Sequence, residues 1–203
     1  MNEFRSFPSD GPFELPTTQA AEGLPRLAWS LEDMDRLVEL GVLDEDARVE
    51  LIGGELVPMS PKGNRHEHIK AVLIDWLYRR LPAGLMLTPE LGWRPGGNNY
   101  LEPDIVIYPA GQAPSQVPPA DVLLVIEIGK SSRAYDRGRK AQLYAALGVR
   151  DYWAIDAASL ETRIFREPGA EGYANTQDLA ADATLTPLLL PALAIALGGL
   201  ELG

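Results

Sequence analysis

The sequence predicts an α/β or α+β domain with a mixed β-sheet, on three observations. The run Val122-Leu123-Leu124-Val125-Ile126-Glu127-Ile128 is apolar enough for a strand buried on both faces of a sheet. Ile69, Val72, Leu73, Trp76 and Leu77 recur at the spacing of an amphipathic helix. Helical and strand-like segments alternate along the chain without an internal repeat, the pattern of a sheet flanked by helices.

Residues 1–28 are rich in Pro, Gly and Thr with no sustained period, so they read as a loose arm, and 29–203 read as one domain. Ser30, followed by Asp33, suits the cap of a short helix carrying Leu31, Met34, Leu37 and Val38 and ended by Gly41. Arg48–Ile52 and Glu55–Met59 flank Gly53-Gly54, the signature of a hairpin with a two-residue primed turn. The helix through Ile69 and Leu77 follows Ser60-Pro61. Strands are expected at Leu85–Trp93, Asp104–Tyr108 and Val122–Ile128, then a helix from about Ser132 to Leu147 stopped by Gly148. Tyr152–Ile155 and Thr162–Phe165 look like a further pair of strands.

The chain has 203 residues, 46% of them apolar, with 18 Lys+Arg against 29 Asp+Glu, a net charge of −11 and no cysteine. That is enough chain to bury a core without staples, and it excludes disulfides and cysteine-based zinc sites. The opening residues carry no apolar leader segment. The greasy stretch Leu185–Leu200 is interrupted by Pro187 and Pro191 and falls short of a membrane span, so a cytoplasmic protein with no membrane partner is expected.

An acidic chain holds nucleic acid only where its basic residues are gathered. They are gathered here, with residues 62–80 at net +3 and residues 130–150 at net +5. The denser island holds Lys130, Arg133, Arg137, Arg139, Lys140 and Arg150. It reads either as a solvated helix face or as a surface aimed at phosphates.

Glu127 is the informative residue, because an ionised carboxylate inside so apolar a strand must find a cation, a donor or a proton. An antiparallel pairing of the two strands around Ala110–Asp121 sets Val106 against Val125 and Asp104 against Glu127. Directly opposed side chains have Cβ atoms roughly 4.5–5.5 Å apart, close enough for two carboxylates to share a divalent cation. The alternatives are that one carboxyl stays protonated or that Glu127 pairs with an arginine. Lys140 precedes Leu143, Tyr144 and Leu147 at helical spacing, so it projects from the sheet-facing side and can reach the carboxylates, unless its stem carries it to solvent. His66 and His68 point to opposite sides of a helix and cannot share an ion. His66 alone can approach the site or serve as a cap. Glu50 is either a solvent-facing strand residue or a third acid beside the other two. Walker-type loops, G-x-S-x-G and cysteine nucleophiles are absent from the sequence.

Several segments together carry a family likeness. They are Glu50-Leu-Ile-Gly-Gly-Glu55 with Met59-Ser60-Pro61 and His66, Pro103-Asp104-Ile-Val, Val125-Ile-Glu127 with Ser131-Ser132, Tyr135-Asp136-Arg137, Lys140, Tyr144, Gly148-Val149 and Tyr152-Trp153-Ala-Ile-Asp156. In order and spacing over about residues 30–165 the chain resembles the Uma-two family, a bacterial group of inferred restriction endonucleases in the PD-(D/E)xK nuclease superfamily. The resemblance implies a restriction-endonuclease-like core with an added N-terminal helix and hairpin, Mg²⁺ or Mn²⁺ on Asp104 and Glu127, and DNA as substrate. The superfamily's usual lysine, two residues after the second acid, would fall at Gly129, and the resemblance moves that role to Lys140. Glu50 and His66 match family positions as further catalytic candidates, and Lys130, Arg133, Arg137 and Arg139 are the candidate DNA contacts.

Two rival readings follow from the same residues. Gly129 and the acidic total suit a nuclease-fold protein that binds nucleic acid, or regulates, without cutting. The apolar tail from Leu188 to Leu197 suits self-association, as in a homodimer.

Overall fold

The computed structural model describes residues 17–19, 25–59, 61–129 and 135–201. Most of the arm expected over residues 1–28 lies outside the described residues, as do Ser60, Lys130 and Arg133.

Six strands form the central sheet: β5 (Leu85–Pro89), β6 (Ile105–Pro109), β7 (Leu124–Gly129), β8 (Asp151–Asp156), β9 (Thr162–Gly169) and β10 (Gly172–Leu179), in the spatial order β10-β9-β8-β7-β6-β5. β7 and β8 run parallel and every other neighbouring pair runs antiparallel, so the sheet is mixed. Parallel neighbours need a long crossover, usually helical. Here the described part of that crossover is a π-helical turn over Asp136–Lys140 running into α3 (Ala141–Leu147), which ends at Gly148 in the left-handed region, φ +84°.

Before the sheet come β1 (Thr17–Gln19) paired with β2 (Pro25–Leu27), then α1 (Leu31–Glu39), the hairpin β3 (Val49–Ile52) and β4 (Glu55–Pro58), and α2 (Asn64–Tyr78). Ser30 and Asp33 form a reciprocal capping box on α1. The hairpin turns on Gly53 and Gly54 at φ +58° and +86°, which a primed turn requires. Gly54 also lets the chain pass closely: its carbonyl accepts from the Trp29 amide at 2.8 Å, and a Cβ there would sit 2.9 Å from Ala28 Cβ.

β6 and β7 pair as Ile105 with Ile126, Val106 with Val125 and Ile107 with Leu124. This register sorts the core into two layers. Ile105, Ile107, Leu124 and Ile126 pack with Ile69, Leu73 and Leu77 of α2, while Val106, Tyr108 and Val125 pack with Tyr144 of α3 and with Tyr152.

The sequence reading differs at several segments: Thr17–Gln19 and Pro25–Leu27 of the expected loose arm pair as strands, the strand expected through Trp93 ends at Pro89, and two larger differences lie toward the C-terminus. β10 had no signal, because most of its side chains are exposed and none alternates; it exists by completing the backbone hydrogen bonds of β9. The apolar tail, read as a self-association surface, turns at its prolines and places Leu185, Leu190, Leu193, Ile195 and Leu197 in this chain's own core, leaving Leu188 and Leu189 exposed. Among the described residues no helix is long and apolar enough to cross a membrane.

Candidate active site

One cavity of about 330 Å³ opens where the hairpin, the start of α2, the adjoining ends of β6 and β7 and the π-helical turn meet, and Glu50, Lys62, His66, Asp104, Glu127 and Lys140 all line it. Asp104 immediately precedes β6, and continuation of the β6–β7 register sets it opposite Glu127. Both acids are on the face that carries Val106 and Val125, and both are almost wholly buried.

Asp104 Oδ2 accepts from the Ile128 amide at 2.8 Å and lies 3.0 Å from His66 Nε2, while Oδ1 is 3.2 Å from Lys62 Nζ. Burial alone would raise the Asp104 pKa, but the His66 ring, the Ile128 N–H and the Lys62 ammonium outweigh it and hold the carboxyl below the usual range. Glu127 Oε1 accepts from Lys140 Nζ and from the Tyr144 hydroxyl, each at 2.9 Å. Lys140 and Tyr144 are four residues apart, so one helical face delivers both donors. Lys140 does not run to solvent; its side chain is 6% exposed, and its Nζ is also 2.9 Å from Glu50 Oε1.

Glu50 is therefore no solvent-facing strand residue. It is buried, and its Oε1 also accepts from the Glu102 amide at 3.0 Å. The single charge of Lys140 thus faces two buried carboxyl groups and can balance only one of them as a carboxylate. Burial, opposed by Lys140 and reinforced by Asp104, Asp136 and Glu50, pushes Glu127 up to about 8. Despite burial, Glu127 and Glu50 hold Lys140 above its ordinary value as an ammonium.

These residues fit a hard divalent cation. Two opposed carboxyl groups share one cavity, Lys140 alone cannot balance both Glu50 and Glu127 when ionised, and the buried hydroxyl of Tyr135, which lines the same space, has no hydrogen-bond partner among the described residues. Among those residues no three His, Asp or Glu side chains form a ready-made cage. Mg²⁺ is commonly held by only one or two carboxylates with water and substrate oxygens, so a pair is a sufficient protein contribution.

The remaining predicted residues fall elsewhere. Arg137 is turned onto Glu161 at 3.1 Å, and Arg139 reaches Glu55 Oε2 at 2.7 Å and the Ile52 carbonyl at 3.1 Å, tying the crossover to the hairpin. Lys130 and Arg133 lie outside the described residues. His68 is exposed, apart from His66. Sequence reasoning missed Lys62, Arg48 and Tyr144 as cavity or site residues. Helical spacing from Lys140 could have found Tyr144, whereas Lys62 sits in the irregular segment before α2, where no periodicity assigns a direction.

A family model described as Uma2, “Putative restriction endonuclease”, matches residues 31–198. No curated protein matches the chain. Among solved structures the chain is similar to the crystal structure of “a putative nuclease belonging to DUF820” from Anabaena variabilis, at a TM-score of 0.59 and 18% identity, over 80% of this chain and 94% of that one. At that identity the likeness concerns the fold.

Proposed function

The chain belongs to the Uma2 family, and from that premise we propose that its buried cavity hydrolyses DNA phosphodiester bonds with Mg²⁺ or Mn²⁺. The observation that carries the reading is the meeting of Asp104 and Glu127 at one cavity, with Lys140 Nζ 2.9 Å from Glu127. Asp104 and Glu127, with the Ile128 carbonyl, would hold the ion. Bound there, a divalent ion supplies Lewis acidity toward a phosphoryl oxygen and lowers the pKa of a water.

The chain's own groups do the rest. Lys140 orients the attacking water and sets a fixed positive charge where the phosphoryl group gains negative charge. Glu50 holds the Lys140 ammonium and the Tyr144 hydroxyl holds the Glu127 carboxyl, so each partner of the contact has a second anchor. His66 holds the Asp104 carboxylate from the first turn of α2. Lys130, Arg133, Arg137 and Arg139 contact flanking phosphates, Arg137 and Arg139 by exchanging Glu161 and Glu55 for them.

Supercoiled plasmid incubated with the purified chain and Mg²⁺ or Mn²⁺ should be nicked, and Asp104→Ala and Glu127→Ala should each abolish nicking. Undiminished cutting by both variants would overturn the proposal. The second reading, a nucleic-acid-binding nuclease fold that does not cut, is favoured by Gly129 at the position of the superfamily lysine. Salt-sensitive DNA binding by the wild-type chain without turnover in Mn²⁺ would select it.

A further inference from the structure

On the Asp104 side of the cavity, Asp104 and His66 continue into a ring of polar groups whose other members, Glu67, Lys70, Glu90 and Lys62, the proposed chemistry does not use. His66 Nδ1 is 3.1 Å from Glu67, Glu67 is 2.7 Å from Lys70 Nζ, and Lys70 Nζ is 2.8 Å from Glu90 Oε1. Glu90 Oε1 also accepts from Lys62 Nζ, and Lys62 and His66 both return to Asp104. Lys62 is the ammonium of this ring with one seat on a site carboxylate and one outside the site. Its ammonium lies between a carboxylate buried in the site and Glu90, whose side chain is 47% exposed.

We infer that Lys62 is a displaceable counter-cation, which occupies Asp104 in the metal-free protein and is driven wholly onto Glu90 when a divalent ion takes the Asp104–Glu127 site. This rests on the metal reading proposed above. An ammonium 3.2 Å from Asp104 Oδ1 competes with a dication for that carboxylate and is repelled by it; Lys140 is held beside Glu127 by Glu50 as well, whereas Lys62 has a partner outside the site to which it can move. Lys62 needs no new partner when it leaves, because its bond to Glu90 already exists.

The Glu90 seat is built rather than incidental. Glu90 follows the last residue of β5 in the left-handed region, φ +48°, a conformation that costs a non-glycine residue free energy. Its amide donates to the Asp104 carbonyl at 3.1 Å, so the two carboxylates that share Lys62 are tied through backbone as well. Lys70 holds the Glu90 carboxylate from α2. Lys62 also lines a second cavity of about 620 Å³ together with Arg48, Glu67, Glu90 and Glu102, so the displaced ammonium has room to turn without entering the core.

Calorimetric titration of Mn²⁺ into the metal-free full chain tests this. Lys62→Met should bind Mn²⁺ roughly three- to tenfold more tightly than wild type, the scale of one partly exposed ion pair lost from the competing state. Glu90→Gln, which leaves Lys62 no second seat, should bind more weakly by a similar factor. The double variant should behave like Lys62→Met, because Glu90 acts through Lys62. Lys62→Gln serves as a second removal of the ammonium, and thermal unfolding of each metal-free variant confirms that it is folded. Unchanged or weaker binding by both Lys62 variants, or a Glu90→Gln deficit that persists in the Lys62→Met background, would overturn the inference. If Mn²⁺ binds wild type, is lost in Asp104→Asn and is unchanged in Lys62→Met, only the Lys62 inference falls. If it binds neither wild type nor Lys62→Met, the metal reading falls with it.

Discussion

Lys140 Nζ, in the crossover that follows β7, stands 2.9 Å from Glu127 Oε1, thirteen residues back along the chain. The contact joins a buried base of the helix to a buried acid of the central strand, and Glu50 meets the same ammonium from the hairpin. Three elements that share no local sequence are thereby locked at one point.

Lys140→Ala should lower metal-dependent nicking by about 100-fold or more, the scale of removing one preorganised electrostatic contact from a reaction centre. It should also cost about 3 kcal/mol of stability, because Glu50 and Glu127 lose a buried counter-charge. Plasmid nicking and urea unfolding measure the two effects separately. Full activity in this variant would remove Lys140 from the chemistry.

Stability should depend on Glu90 at acid pH. Hydrogen bonds from Lys62 and Lys70 hold its carboxyl down to about 2, against 4.5 for a free glutamate. A depressed folded-state value means that the unfolded chain takes up the proton first as pH falls. The stabilisation is therefore complete above about pH 4.5 and is lost progressively toward pH 2. Glu90→Gln should flatten that part of the curve in urea titrations across the range, and an unchanged slope would contradict the assignment.

Gly54→Ala should destabilise the fold by about 1–2 kcal/mol, combining left-handed backbone strain with the approach of Ala28. Gly53→Ala is the internal comparison. Its φ is also positive, but a Cβ there meets nothing within 4 Å, so its cost should be smaller. Thermal midpoints of the two variants give the difference.

Asp151→Ala should cost about 3 kcal/mol, since it strands several donors at once. The fully buried carboxylate accepts from Trp153 Nε1 at 3.1 Å, Arg166 Nε at 3.0 Å and the Leu188 amide at 2.6 Å. Arg166→Leu should cost less, because Asp151 keeps its other two donors. Denaturant midpoints of both variants check the order.

The register of β6 and β7 was legible because both faces of each strand are committed to a core layer, and a slip by one residue would invert every one of those side chains. The same alternation set Asp104 against Glu127. The sheet-facing direction of Lys140 was legible from its spacing to Tyr144 and Leu147. Lys62 and Glu90 were not, since one lies in an irregular segment and the other depends on a left-handed backbone that no glycine announces. The arginines of the basic island could be located but not aimed. Whether Arg139 faces solvent or Glu55 depends on where the hairpin packs, which is long-range information. The tail hid its role for a related reason: an apolar stretch looks alike whether its partner is another molecule or an earlier strand of the same one.

The π-helical turn over Asp136–Lys140 has a consequence for tolerance to length change. In an ordinary α-helix residues five apart point about 140° away from each other, whereas a turn closed by i→i+5 bonds lines them up. Tyr135 and Lys140 are five apart and line the same cavity. Regularising this turn to an α-helix at the same chain length would swing Tyr135 about 140° away from Lys140 and take one of them out of the cavity. Removing one residue leaves the two four apart, a spacing that an α-helix already brings to one face, so the wide turn is what lets this length of chain keep both.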